Sequence, residues 1–469
     1  MPYIYNTEQD VQDMLAAIGA GSIDELLDMV PDQLRLKRPL DLPAAQGEME
    51  LEQTVHALAA KNRHAGDTVS FLGGGSYDHF IPAVVDAVGS RGEFYTSYTP
   101  YQAEVAQGNL QAMFEYQTLI TRLTGMEVSN SSLYDGASAA AEAVLMSIAT
   151  TRRKGRVVMP ETLHPEYRQT IVTYLECLGV DSVTVPTPGG VVDADELRGA
   201  LTDDTACVLL QHPNFFGALE DTDSITAVTH EAGALMIAVF DPISLGLLKR
   251  PGGWNDGDGA DIAVAEGQCL GSGMQYGGPY LGIMACREKL VRRMPGRIVG
   301  QTVDRRGAPC YTLTLQTREQ HIRREKATSN VCSNQGLFAL RATVYLSLLG
   351  PEGLKDTASL CLQKSHYLAE KLCESERFEQ AFAAPTFKEF VIRDRENKVD
   401  ELVKTALAPP DGDRGYFAGV PLGQFYPDLS DCLLVCVTEK RTKAEMDAFA
   451  GVLLGTPKDA KSVKLVAAD

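Results

Sequence analysis

The chain has 469 residues, 44% hydrophobic and 22% charged, which is enough to bury two or three domains and too apolar for a disordered polymer. Its 43 basic and 62 acidic residues leave a formal charge of −19, which opposes nucleic-acid binding. Met1 to Asp10 lacks the basic and apolar regions of a secretory signal, and apolar runs such as Ala234 to Phe240 suit buried strands rather than bilayer spans. A cytoplasmic protein with no membrane partner is expected.

In chain order, residues 1–65 read as a helical arm. Ser22-Ile-Asp-Glu25 has the form of a capping box, Pro31 closes the short helix after it, and Leu51, Val55 and Leu58 share one face of a further helix. Such an arm packs on a partner subunit or on the chain's own body. From Arg156 short β-branched runs alternate with amphipathic stretches, the signature of a βα architecture with a mainly parallel sheet. The expected strands are Arg156 to Met159, Asp181 to Val185, Ala206 to Leu210, Leu235 to Phe240, Asp261 to Ala265 and Leu281 to Cys286. Pro165 to Leu178 and Asp221 to Ala232 read as helices, each followed by glycine. A large α/β domain over 66–310 then gives way to a smaller α/β domain over 311–455, with Leu433 to Val437 as a strand, and to a tail over 456–469. In the large domain the loops Gln211 to Gly217 and Asp241 to Ser244 fall at carboxyl ends of strands, where such sheets bind ligands. Ten cysteines without a Cys-x-x-Cys pair suit a reducing compartment and supply no metal set; Cys432 and Cys436 read as core.

Several segments carry more chemistry than packing requires. Phe71 to Tyr77 is glycine-rich but lacks the lysine and hydroxyl of a nucleotide-gripping loop, so a tight turn is expected. Phe94 to Gln102 sets three tyrosines, two threonines and a glutamine around Pro100. That composition fits either a loop presenting polar groups to a small ligand or an interface turn packed by its rings. Asn130 to Ala143 reads as a loop feeding an alanine-rich helix whose amino end could hold an anion, with Asp135 placed either there or as a cap. Between Arg287 and Lys326 eleven basic residues face four acidic ones, which reads as a solvated face or as a docking surface for an acidic protein.

The stretch from Asp241 to Pro279 resembles the frame of pyridoxal-phosphate enzymes of the aspartate-aminotransferase type. In that frame an aspartate such as Asp241 pairs with the pyridine nitrogen, and a lysine some thirty residues later carries the aldehyde as an imine. Here Gln268 and Cys269 stand at that place, and neither is an amine. Lys249 and Lys289 lie off the spacing.

More of the chain resembles one family. Tyr95-Thr-Ser-Tyr-Thr-Pro-Tyr-Gln-Ala-Glu-Val-Ala-Gln-Gly108, Tyr116-Gln-Thr-Leu-Ile-Thr-Arg-Leu-Thr-Gly125, Ser131-Ser-Leu-Tyr-Asp-Gly-Ala-Ser-Ala-Ala-Ala-Glu-Ala143 and Leu315-Gln-Thr-Arg-Glu-Gln-His-Ile-Arg-Arg-Glu-Lys-Ala-Thr-Ser-Asn330 are similar to the glycine decarboxylase (P-protein) of the glycine cleavage system, in particular subunit 1 of its two-subunit form. The resemblance implies a fold type I transferase-like large domain. It also implies a partner, subunit 2, that holds pyridoxal phosphate, in a complex with two copies of each subunit that decarboxylates glycine and passes the aminomethyl group to the lipoylated H-protein. Asp241 is then a vestige, this chain's own site has no catalytic residue, and Tyr98, Tyr101 and Gln102 serve the partner's site. The alternatives are a purely structural subunit, or an independent pyridoxal enzyme using Lys249 or Lys289.

Overall fold

The computed structural model describes residues 5–327, 329–409 and 414–455; the expected tail from Thr456 lies outside them. The chain divides after Arg63 into two compact units. In the first, helix α1 (Glu8–Ile18) starts from a full capping box between Thr7 and Asp10 and ends at Gly19 in the left-handed region. The box expected at Ser22 is only half made. The Glu25 N–H donates to the Ser22 hydroxyl at 3.2 Å, but the Glu25 carboxylate turns to the Gly21 N–H, and a single 3-10 turn follows. Helix α2 (Glu48–Ala59) carries Leu51, Val55 and Leu58 on one face, all exposed, and neither helix has a buried residue.

The second unit is organised by a seven-stranded sheet. Its strands are β1 (Val128–Ser129), β2 (Arg156–Pro160), β3 (Asp181–Val185), β4 (Thr205–His212), β5 (Leu235–Phe240), β6 (Ile262–Glu266) and β7 (Gly282–Cys286), in the spatial order β1-β7-β6-β5-β4-β2-β3. The five strands from β3 to β6 run parallel, while β7 and β1 are antiparallel to their neighbours. Alternate side chains point to opposite faces. Val158, Val208, Ala238 and Ala263 enter one core; Val157, Leu209, Ile237 and Val264 enter the other. Helix α3 (Gln107–Thr124) packs on one side and α4 (Gly136–Thr151) on the other, followed by α5 (Pro165–Leu175), α6 (Thr222–Glu231) and the long α7 (Gly336–Cys373), which kinks at Gly350 before Pro351. The strands expected from sequence are present to within two residues at either end.

A second sheet follows, with β8 (Phe378–Gln380), β9 (Glu389–Asp394), β10 (Val420–Pro421) and β11 (Cys432–Cys436) in the antiparallel order β8-β9-β11-β10. Cys432 and Cys436 are buried in it, as their apolar neighbours imply. The loop after β4 meets the start of β9 so closely that a Cβ on Gly217 would lie 2.0 Å from the Glu389 carbonyl oxygen, and Gly217 has φ +78°. That contact holds Lys388 and Glu389 over the carboxyl ends of the large sheet. Among the described residues no helix is long and apolar enough to cross a membrane.

Helix α4 opens where that edge begins. Its first residue, Gly136, has no room for a side chain: a Cβ would sit 1.9 Å from the Tyr167 hydroxyl and 2.8 Å from the Glu266 nitrogen. Helix propensity alone favours alanine over glycine by about 1 kcal/mol. Overpacking costs about 1–3 kcal/mol and outweighs it, so Gly136→Ala is expected to lower Tm in thermal unfolding; a raised Tm would show that propensity wins.

Candidate functional site

Strand β5 ends at Phe240 and delivers Asp241 to the carboxyl edge of the sheet. Its carboxylate is already paired. Lys388 Nζ lies 2.7 Å from Asp241 Oδ2, with the two side chains 1% and 9% exposed. The same ammonium sits 3.4 Å from the centroid of the Tyr77 ring and donates to His79 Nε2 at 3.1 Å. An ammonium can only donate, so Nε2 accepts and Nδ1 carries the proton, which goes to Glu439 at 2.6 Å. Burial alone would lower the Lys388 pKa, but the adjacent Asp241 carboxylate and the neighbouring thiols Cys269, Cys436 and Cys361 together outweigh it and hold the ammonium above its ordinary range. Burial would likewise raise Glu439; the His79 bond and the Phe80 N–H at 2.6 Å bring it down to about 2.

The second end of the site is Glu266, the last residue of β6. Its Oε2 accepts the Gly136 N–H, at the start of α4, at 2.9 Å, and Oε1 accepts from the Gln268 and Leu281 N–H groups at 2.9 and 3.0 Å. Burial pushes this carboxyl up to about 8 despite the three donors. Asp135 is a cap, accepting from the Ser138 N–H at 2.7 Å. The carboxylate foreseen for Asp135 at the helix end therefore belongs to Glu266, because an N-cap side chain turns back to the third N–H and leaves the first free.

Gln268 and Cys269 follow Glu266 and are buried. Gln268 clamps Tyr77, accepting its N–H at 2.9 Å and donating to its carbonyl at 3.1 Å and to the Ser272 carbonyl at 2.7 Å. Burial first, then Asp241, push the Cys269 thiol well up, so it stays neutral. Neither residue can form an imine. Lys249 and Lys289 stand apart, 43% and 62% exposed and paired with Asp223 and Asp261 at 2.8 and 3.0 Å. Tyr77, His164, Tyr167, Asp241, Glu266 and Lys388 line a cavity of only about 30 Å³, room for about one water.

The glycine-rich turn forms one wall. Gly74 donates to Glu389 at 2.6 Å, and the other Glu389 oxygen accepts from the Tyr77 hydroxyl at 2.9 Å. Burial pushes Glu389 up to about 7 against these bonds. His79, Cys361 and Glu439 place ligand atoms within 4.8 Å of one another. A metal on His79 Nδ1 would force an N–H at Nε2 against the Lys388 ammonium, two donors face to face. The cluster is therefore a hydrogen-bonded relay.

Sequence reasoning missed Lys388, Glu266, His79 and Glu439. The one legible signal is a Lys-Glu pair opening the apolar strand that runs through Phe390, Val391 and Ile392. Tyr98, Tyr101 and Gln102 do not line the Asp241 cavity and are exposed, Tyr98 at 90%. Tyr101 lies edge-on to His321 at 6.4 Å and 5.9 Å from the Arg297 guanidinium. The basic run is a solvated face only in part: Arg292 and Arg293 are exposed, whereas Arg297 is buried and donates to Asn334 at 2.6 Å.

A mainly parallel sheet in this order, with an aspartate at the end of β5, is the architecture of the fold type I pyridoxal-phosphate enzymes. The sphingosine-1-phosphate lyase of Burkholderia pseudomallei, 15% identical with a TM-score of 0.63 over 91% of this chain and 94% of its own, shares that fold alone. A crystal structure of glycine decarboxylase (P-protein) of the glycine cleavage system, in inhibitor-bound form, is 41% identical with a TM-score of 0.84 over 97% of this chain and 99% of its own. A protein of Chlorobium phaeobacteroides named probable glycine dehydrogenase (decarboxylating) subunit 1 is 50% identical over 97% of this chain and 99% of its length. The family described as Glycine cleavage system P-protein matches residues 1–453, and the chain belongs to it. The residues around Asp241 do not fit pyridoxal phosphate: the Asp241 carboxylate is already taken by the Lys388 ammonium, and Gln268 and Cys269 offer no amine for an imine.

Glu266 makes the site pH-sensitive. Its folded pKa of about 8 lies above the ordinary 4.5, so its contribution to stability is complete below 4.5 and is lost as pH rises through 8. Glu266→Gln should flatten the fall in Tm between about pH 5 and 8. A fall as steep as in the native chain would assign it to other groups.

Proposed function

We propose that this chain is the non-cofactor-bearing subunit of a glycine dehydrogenase (decarboxylating). With subunit 2, most simply as two copies of each, it decarboxylates glycine and passes the aminomethyl group to the lipoyl arm of the H-protein. The observation that carries this reading is the closure of the Asp241 site on Lys388, with Gln268 and Cys269 where the imine-forming amine belongs. The relatives' names, which speak of a subunit 1, support a second subunit. Pyridoxal phosphate held in that subunit supplies the electron sink for loss of carbon dioxide. An independent enzyme using Lys249 or Lys289 is disfavoured by their surface ion pairs, since an imine-forming lysine needs a lowered pKa and a pocket.

In this reading Tyr98, Tyr101 and Gln102 reach the partner's active site or its rim. Their exposure supports it, because exposed polar side chains are open to contact with another chain. Arg292 and Arg293 steer the acidic H-protein, a rate effect that salt weakens.

Borohydride reduction of the purified chain with pyridoxal phosphate is expected to give no stoichiometric label on any one lysine, and a single labelled site would overturn the assignment. In the reconstituted complex, Tyr98→Phe and Gln102→Ala should each lower glycine–bicarbonate exchange at least about tenfold while assembly and cofactor content stay unchanged. Full activity in both would return the loop to an interface turn.

A further inference from the structure

We propose that Lys388 and Glu266 are a built-in substitute for the two charged ends of pyridoxal phosphate, and that these two side chains keep the cofactor out of this chain. In a fold of this class an aspartate such as Asp241 faces a protonated pyridine nitrogen, and here the cation at hydrogen-bond distance from it is the Lys388 ammonium, at 2.7 Å. The amino end of a long helix attracts a phosphate, and here the group on the Gly136 N–H is the Glu266 carboxyl, at 2.9 Å. Both side chains line the same small cavity, of about 30 Å³, so they stand at the places of a ligand's two ends at once. The surrounding bonds are built for this purpose. Tyr77 and His79 fix the ammonium from two further directions, and the Gln268 and Leu281 N–H groups fix the carboxyl. Losing an imine lysine alone would have left a pocket still able to bind the cofactor without a covalent bond.

The inference rests on the reading that this chain holds no cofactor, and the test separates the two. Pyridoxine 5′-phosphate carries the ring and the phosphate but no aldehyde, so it binds by shape and charge alone. The full-length native chain should show no binding of it by equilibrium dialysis at millimolar concentration, and the variant Lys388→Ala with Glu266→Ala should bind at least ten times more tightly. Adding Asp241→Asn should abolish that gain. Tight binding by the native chain would overturn the reading of a cofactor-free chain; a folded double variant that binds no better than native would overturn the substitution alone. Should the double variant fail to fold, Lys388→Met and Asp241→Asn are compared singly and together. The charge replacement predicts that each lowers Tm and that their combination restores most of the loss, whereas additive losses would refute it.

Discussion

A buried ammonium is tolerated only beside a counter-charge, and the pairing of Lys388 with Asp241 meets that condition between two separate sheets. Asp241 comes from the end of β5, and Lys388 precedes the first residue of β9. Removing one partner of such a pair costs about 3–5 kcal/mol, because the other charge is left alone in a medium of low polarity. Whole domains are stable by only about 5–15 kcal/mol. The ion pair therefore fixes where the second sheet sits on the first.

The neighbouring groups extend the same constraint. Tyr77 offers its ring to Lys388 and its hydroxyl to Glu389, and Gln268 holds the Tyr77 backbone from below, so the glycine-rich turn, the segment after β6 and the start of β9 share one network. His79 passes the hydrogen-bonded chain on to Glu439 just after β11. Every member lies in a region of low polarity, where an unsatisfied donor is costly and a satisfied network is rigid. The centre of this chain is thus built as a closed structural element, and Tyr98 lies apart from it on the surface.

Much of the frame was legible in the residues. Parallel strands covered on both faces must be apolar throughout and of a certain length, which is why Leu235 to Phe240 was recognisable as a strand without coordinates. Asp241 could be placed at a strand end, and the lack of an amine at Gln268 and Cys269 was a matter of reading side chains. Local capping was harder. Ser22 and Glu25 have the spacing of a capping box, but the Glu25 carboxylate is taken by the Gly21 N–H, and spacing alone does not show which of two nearby donors wins.

By itself the sequence determined the fold class, the family and the lack of an amine at Gln268 and Cys269, because hydrophobic period, turn residues and side-chain chemistry are local properties of the chain. Only the tertiary structure decided what stands beside Asp241 and at the start of α4. Lys388 lies 147 positions from Asp241, and Glu266 lies 130 from Gly136. Contacts at such separations follow from how sheets and loops pack, as at Gly217 against Glu389, and no local pattern encodes them. A charged pair opening the strand through Phe390 reads the same whether it faces solvent or a buried carboxylate, and the free energy that separates those outcomes resides in the assembled core.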